Sequence, residues 1–390
     1  MAASENTLKQ LTMLLRMGVG ITDASSEKTE YEKESIEEAY KLAKHHDLAH
    51  VVANAVKKNA LPCTEELFAK LDKQQLVAIF RYQHQKYDLG AVNEAFEKAE
   101  IPHVPLKGSV LRKYYSPEWL RTGCDIDILI KEEDIDRAVE VLTERLSFKY
   151  DHKSSHDIML ISPGGTSLEL HYDLIEKEEH GEDEVLEGFW DSATPVSGRE
   201  FTLEVSDEMF YYYHVGHMAK HFMNGGCGIR PFLDLWTLNN RMNFSKNERE
   251  QIMQRGNYFR FGETAARLSE VWFGNAEHSD LTQRMEEYIL SGGVYGNTEN
   301  RVAVQTAAHG GRFSYILSKI FLPYRTMKFY YPIVNGRRWL MPFCQLRRWC
   351  RLIFCGGLGR SVKEMKVTGA VTSEEKNETA AFLSDLGLGA

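Results

Sequence analysis

The side chains best suited to chemistry in this chain lie between Leu106 and Ile130, in the run LKGSVLRKYYSPEWLRTGCDIDILI. Asp125 and Asp127 stand one residue apart in an apolar stretch that reads as a strand, so both carboxylates point to one side of it. Carboxylates held that close repel each other, and a divalent cation between them removes the repulsion. Gly108 and Ser109 follow an earlier apolar stretch and open a short helix, where free backbone N–H groups and a hydroxyl suit phosphate. A later run, Ser167 to Asp173, alternates in strand fashion: Leu168, Leu170 and Tyr172 on one face, Glu169, His171 and Asp173 on the other. Glu169 is the candidate third acid. These groups together describe a seat for a nucleoside triphosphate with magnesium or manganese, the metal held by Asp125, Asp127 and Glu169. The competing readings of the same stretches are a solvent-facing strand with two acids, an ordinary strand-to-helix turn, and an edge strand with a polar face.

The elements that must position these groups follow from periodicity. Residues 1–100 read as an N-terminal helical region. Apolar residues recur at helical spacing from Ser35 to Val56, Pro62 closes that stretch, Cys63–Glu66 starts another helix, and a long helix runs from Leu71 to about Ala99. From Pro102 the pattern changes. Strands His103–Leu106, Asp125–Ile130, Asp157–Ile161 and Ser167–Tyr172 alternate with helices Ser109–Tyr115 and Glu133–Leu146, within a core spanning 101–205. Helices return over 206–365, including Glu208–Met223 and Phe232–Asn239, and 366–390 reads as a loose polar tail. The acidic run 176–187 reads as a solvated loop or helix face. The fold class is α+β: a small mixed β-sheet embedded in N- and C-terminal helices.

Composition narrows the function classes. A chain of 390 residues with 43% hydrophobic residues can bury a large core in two or three domains. Its net charge of −9 is not that of a general nucleic-acid binder. The six cysteines form no CxxC pair, which speaks against a zinc knuckle or a disulfide framework. The start of the chain lacks a signal-peptide pattern and no apolar run reaches membrane-spanning length, so the expected location is the cytoplasm.

The order Gly-Ser, then apolar-Asp-apolar-Asp-apolar, then apolar-Glu-apolar resembles the DNA polymerase β-like nucleotidyltransferase superfamily. More narrowly, LKGSVL, the Arg before DID, LELHYDL and HVGHMAKHFMNGGCGIRPFLDLWTL resemble an uncharacterised bacterial nucleotidyltransferase family, over roughly Glu30 to Arg351. Two departures stand out: the gap from Ser109 to Asp125 is long, and Tyr172 replaces a common Trp. The resemblance implies a fold with a nucleotidyltransferase core and transfer of a nucleoside monophosphate from a triphosphate to a hydroxyl, with release of pyrophosphate. It implies that Asp125, Asp127 and Glu169 bind Mg2+ or Mn2+ and carry catalysis. It also implies that Lys107, Gly108, Ser109, Arg121, His221 and Asp234 contact the nucleotide. Arg121 has a second reading, as a helix cap or the partner of an acid.

His214, His217 and His221 share one helix face, but Met218 stands where a zinc protease needs Glu, so that chemistry is set aside. Lys220 and Arg230 are further basic candidates at the same helix pair, and His171 is a candidate acceptor contact. The acceptor itself is left open among a small molecule, a peptide or protein side chain, and RNA. The alternatives to a biosynthetic enzyme are a non-catalytic nucleotide-binding module and a toxin-type nucleotidyltransferase acting on tRNA or protein. Between Arg312 and Lys363 there are eleven Lys or Arg and no Asp or Glu, interleaved with aromatics. There Leu340, Phe343, Leu346, Trp349 and Ile353 predict an amphipathic helix capping its own domain. Contact with a membrane surface or a nucleic-acid backbone stands as a secondary reading.

Overall fold

A computed structural model describes residues 5–22, 33–174, 183–294, 296–308, 312–354 and 372–388. Helices α1 (Glu5–Gly18), α2 (Lys33–His45) and α3 (Ala49–Lys58) come first. Then comes α4 (Glu65–Lys98), whose cap Thr64 accepts a hydrogen bond on Oγ1 from the Leu67 N–H at 3.1 Å. The α1–α3 contact is so close that a Cβ on Gly18 would lie 2.4 Å from the Val51 carbonyl oxygen, so only glycine fits. Next come β1 (His103–Pro105), α5 (Gly108–Leu111), β2 (Asp125–Ile130), α6 (Ile135–Glu140), β3 (Lys149–Lys153), β4 (Asp157–Ile161), β5 (Ser167–His171) and α7 (Glu184–Glu187). A hairpin of β6 (Ala193–Pro195) and β7 (Leu203–Val205) leads to α8 (Asp207–Met223) and α9 (Arg230–Arg241). Helices α10 (Lys246–Arg255), α11 (Phe259–Phe273), α12 (Asp280–Leu290) and α13 (Thr298–Ala308) complete the main helical body. The basic segment forms α14 (Arg312–Ile320), α15 (Tyr324–Tyr330) and α16 (Met341–Phe354), and α17 (Ser373–Asp385) follows.

The architecture is α+β. The main sheet has the order β1-β2-β5-β4-β3, with β2 and β5 parallel and the other neighbours antiparallel. Side-chain alternation divides its two faces. Ile126, Ile128, Ile130, Leu168 and Leu170 enter one apolar cluster with Val92 and Phe96 of α4 and with Ile135 and Ala138 of α6. A larger cluster joins the N-terminal helices to α8, α9, α11 and α12. A one-residue slip of β2 would expose three fully buried isoleucines, at about 1.5–3 kcal/mol each, and bury its aspartates in oil. The back-face core therefore fixes the register.

Several elements differ from the sequence expectation. The helix expected over Ser35–Val56 is two helices, broken at Asp47, whose φ is +56°. The two helices expected from Cys63 onward are the one helix α4. The helix expected over Ser109–Tyr115 stops at Leu111 and gives way to a 3-10 turn. Strand β3 was not expected, because all five of its residues are exposed and carry no alternation. Residues 366–390 are not wholly a loose tail: Phe382, Leu383, Leu386 and Leu388 are buried, and the Phe382 ring lies 5.5 Å from that of Tyr288. Their spacing makes an apolar stripe that a reading by composition passes over. The acidic run falls mostly outside the described residues. Its end carries Asp183, which caps α7 and accepts a hydrogen bond from the Tyr212 hydroxyl at 2.6 Å. No helix among the described residues is long and apolar enough to cross a membrane.

Of two buried histidines at the α2–α3 corner, His50 joins the helices to the approach of β2. The His50 Nε2–H on α3 donates to the Leu120 carbonyl at 2.8 Å. Burial lowers both His46 and His50 from the ordinary 6.5 to about 4; His45 adds to the shift at His46, and the Leu120 carbonyl opposes it at His50. Between those values the unfolded chain binds more protons than the folded one. Stability is therefore full above about pH 6.5 and falls as pH drops toward 4, by roughly 3 kcal/mol per ring. The denaturant midpoint followed from neutral to acid pH reads this directly, and His50→Gln, which keeps a donor for Leu120, should flatten the decline.

Candidate active site

The front face of the sheet gathers the acids. In the parallel pair β2/β5, Asp127 lies opposite Glu169, Asp125 opposite Ser167, and Leu129 opposite His171. Alternation therefore turns Asp125, Asp127, Glu169 and His171 to one face. Asp127 is 3% exposed, and its Oδ1 accepts from Lys107 Nζ at 2.6 Å and from His171 Nε2 at 2.9 Å. His171 Nε2 also lies 3.3 Å from Glu169 Oε2. Lys107 reaches in from a backbone with φ of +44°, a conformation that costs a side-chain-bearing residue about 1–3 kcal/mol and that clusters at functional sites.

The charges answer one another. Burial disfavours the Asp127 carboxylate, yet Lys107 and His171 hold its pKa well below the usual range. Burial likewise works against the Lys107 ammonium, and Asp127, Tyr213 and Glu169 hold its pKa above the ordinary lysine value. Asp125 receives no hydrogen bond from Lys107 or His171, and the opposing charges of Lys107 and Arg230 are outweighed. Burial, then repulsion from Asp127 and Glu169, pushes it up to about 6. That leftover repulsion is what a divalent cation would relieve. Asp127, Glu169 and His171 each offer one ligand atom, all within 4.8 Å of one another, and form the one such group among the described residues. The two carboxylates are oxygen donors of the kind magnesium or manganese takes, while the His171 imidazole is engaged with Asp127.

The sheet face floors a cleft of about 390 Å³ whose opposite wall is α8 and α9. Of the residues the sequence singled out, Lys107, Gly108, Arg121, Asp125, Asp127, Glu169, His221 and Asp234 border it. Ser109 does not, and its Oγ is buried without a hydrogen-bond partner; the four-residue α5 turns the hydroxyl away from the cleft. Arg121 and Asp234 border the cleft but engage each other. Arg121 Nε donates to both Asp234 oxygens at 2.8 and 2.9 Å, and the Tyr115 hydroxyl donates to Oδ1 at 2.8 Å. Of the two sequence readings of Arg121, pairing with an acid is the one the geometry carries. Arg230 Nη1 donates to Asp47 Oδ2 at 2.9 Å. His171, considered as an acceptor contact, is tied to Asp127. His217 and His221 face each other with their Nε2 atoms 3.1 Å apart. Burial and Lys107 lower both pKa values, that of His221 to about 4, so the pair is neutral near pH 7.

Sequence reasoning missed part of the lining. His46 is fully buried at the α2–α3 corner and borders the cleft, with both ring nitrogens lacking a hydrogen-bond partner. His156 lies near-parallel to His171, with ring centroids 6.1 Å apart, and sits 3.1 Å from Asp157 Oδ2. Only a polar Ser-Ser-His-Asp run ahead of β4 hinted at the second, and nothing local hinted at the first. The far rim is built by backbone: a Cβ on Gly296, where φ is +68°, would lie 2.0 Å from the Gly225 carbonyl oxygen, so two loops interlock beside Gly228 and Val294.

Against known proteins, the model of the family described as uncharacterised nucleotidyltransferase matches residues 32–274. No curated protein and no solved structure matches the chain. The Arg121–Asp234 pair is open to a direct test. Asp234→Ala leaves a guanidinium buried without its partner and should cost about 3–5 kcal/mol in urea unfolding, whereas Arg121→Met with Asp234→Leu should recover much of that loss. A pair kept only for ligand contact would leave stability near that of the parent.

Proposed function

This chain belongs to the uncharacterised nucleotidyltransferase family, and on that footing we propose that it transfers a nucleoside monophosphate from a nucleoside triphosphate to a hydroxyl acceptor. What carries the reading is the pairing of Asp127 with Glu169, with Asp125 on the same face and Lys107 beside them, on the floor of one cleft. The acceptor oxygen attacks the α-phosphorus in line. The new O–P bond forms as the bond to the bridging oxygen breaks, and pyrophosphate leaves with that electron pair. Glu169 takes the hydroxyl proton.

Asp125, Asp127 and Glu169 would hold magnesium or manganese, which would supply charge to acidify the acceptor hydroxyl and offset charge on pyrophosphate. The remaining work falls to the chain. His171 fixes the Asp127 rotamer through its 2.9 Å hydrogen bond. Lys107 is the ammonium nearest the acids and turns to phosphate oxygens as a point charge when nucleotide enters. Gly108 borders the floor, where a Cβ would meet Arg121 Nη1 at 3.6 Å, an ordinary contact. The neutral His217–His221 pair donates and accepts hydrogen bonds without adding charge.

The decisive experiment incubates each of four α-labelled triphosphates, with magnesium or manganese and fractionated extract, and follows label into product by mass spectrometry. Asp127→Asn and Glu169→Gln should each fold normally and lower transfer by more than about 100-fold. Binding of triphosphate with no transfer by the parent would mark a non-catalytic binding module instead. Lys107→Met separates two roles of one side chain. It should strengthen manganese binding without nucleotide, because the competing ammonium is gone, and weaken triphosphate binding; isothermal titration reads both.

A further inference from the structure

Helices α14, α15 and α16 form a small body with its own cluster of Met327, Val334 and Cys344, separate from both main apolar cores. Helix α16 departs in part from the sequence expectation: Phe343, Leu346 and Ile353 face outward, while Trp349 packs inward and Arg347 and Arg351 stay exposed as expected. Its inward residues are polar-tipped: Gln345 Nε2 donates to the Leu322 carbonyl at 2.7 Å, Arg348 Nη1 to the Ile320 carbonyl at 3.0 Å, and Trp349 Nε1 to the same carbonyl at 2.9 Å. The last two satisfy the orphan Ile320 carbonyl at the end of α14. Phe343, Leu346, Cys350 and Ile353 recur every three to four residues on the other side and are exposed. Phe343 is 66% exposed, Trp339 69% and Phe354 83%. Of the seventeen large hydrophobic side chains left exposed among the described residues, eleven lie in 313–354. That concentration is far beyond scattered surface residues.

We propose that this face binds the surface of an anionic lipid bilayer, independently of the transferase reading. The charge is complementary: the segment Arg312–Lys363 has eleven Lys or Arg, and all 56 acidic residues of the chain lie outside it. Exposed Arg337, Arg347 and Arg351 stand among the apolar side chains, as they would to hold headgroup phosphates while the stripe enters the acyl boundary. Aromatic rings at such a level suit the interface. RNA would use the basic and aromatic groups but has no use for Leu317, Ile320, Ile333, Leu346 and Ile353, all exposed here. The helices are too short to span, so the contact lies along the surface.

The test is co-sedimentation of the full chain with phosphatidylcholine vesicles, with vesicles also containing phosphatidylglycerol, and, by filter binding, with single-stranded RNA. Binding should require phosphatidylglycerol. Arg337→Glu with Arg351→Glu, and separately Trp339→Ser with Phe343→Ser, should each weaken it by about ten-fold or more. All four side chains are exposed, and unchanged cooperative unfolding of each variant checks that the fold persists. No sedimentation of the parent at low salt overturns the proposal. So does RNA binding as tight as vesicle binding, or vesicle binding that ignores the loss of Trp339 and Phe343.

Discussion

Asp125, Asp127 and Glu169 repel one another, and the sheet register forces them onto one face. The same alternation that buries Ile126, Ile128, Leu168 and Leu170 behind the sheet leaves the acids in front of it. The chain answers with Lys107 and His171 on Asp127 and opposes the charge on Asp125 only at longer range, through Lys107 and Arg230. A strained backbone at Lys107 is the local cost of bringing an ammonium to that spot. The concentration of negative charge in front of the sheet is thus a consequence of strand pairing rather than an addition to it.

Around this centre lies a frame of buried polar ties. Arg121 with Asp234 and Tyr115, and His50 with the Leu120 carbonyl, join the approach of β2 to α9 and α3. Gln85 of α4 donates to the Gly123 carbonyl at 3.1 Å and so holds the same approach from the other side. The fifteen residues between Ser109 and Asp125 therefore act less as a loop than as a braced path that delivers β2 in register.

Legibility followed sequence distance. Asp125, Asp127 and Glu169 could be read because strand alternation is local, and β2 and β4 begin and end where the pattern places them. The Arg121–Asp234 pair spans 113 residues and His46 reaches the cleft through a helix corner, so neither leaves a local mark. Strand β3 is invisible because it has no buried side. For α16 the two-faced pattern was legible, but which face turns inward depends on free carbonyls at the end of α14, and periodicity carries no sign for that.

The two apolar clusters have a consequence for the cleft. Strands β2 and β5 are clamped from behind by α4 and α6, while the wall facing them belongs to the other cluster. Substitutions at Met218, Cys227 or Val294 can reshape that wall without moving a carboxylate. The wall and the acid-bearing face thus belong to separate cores, and the shape of one is not tied to the register of the other.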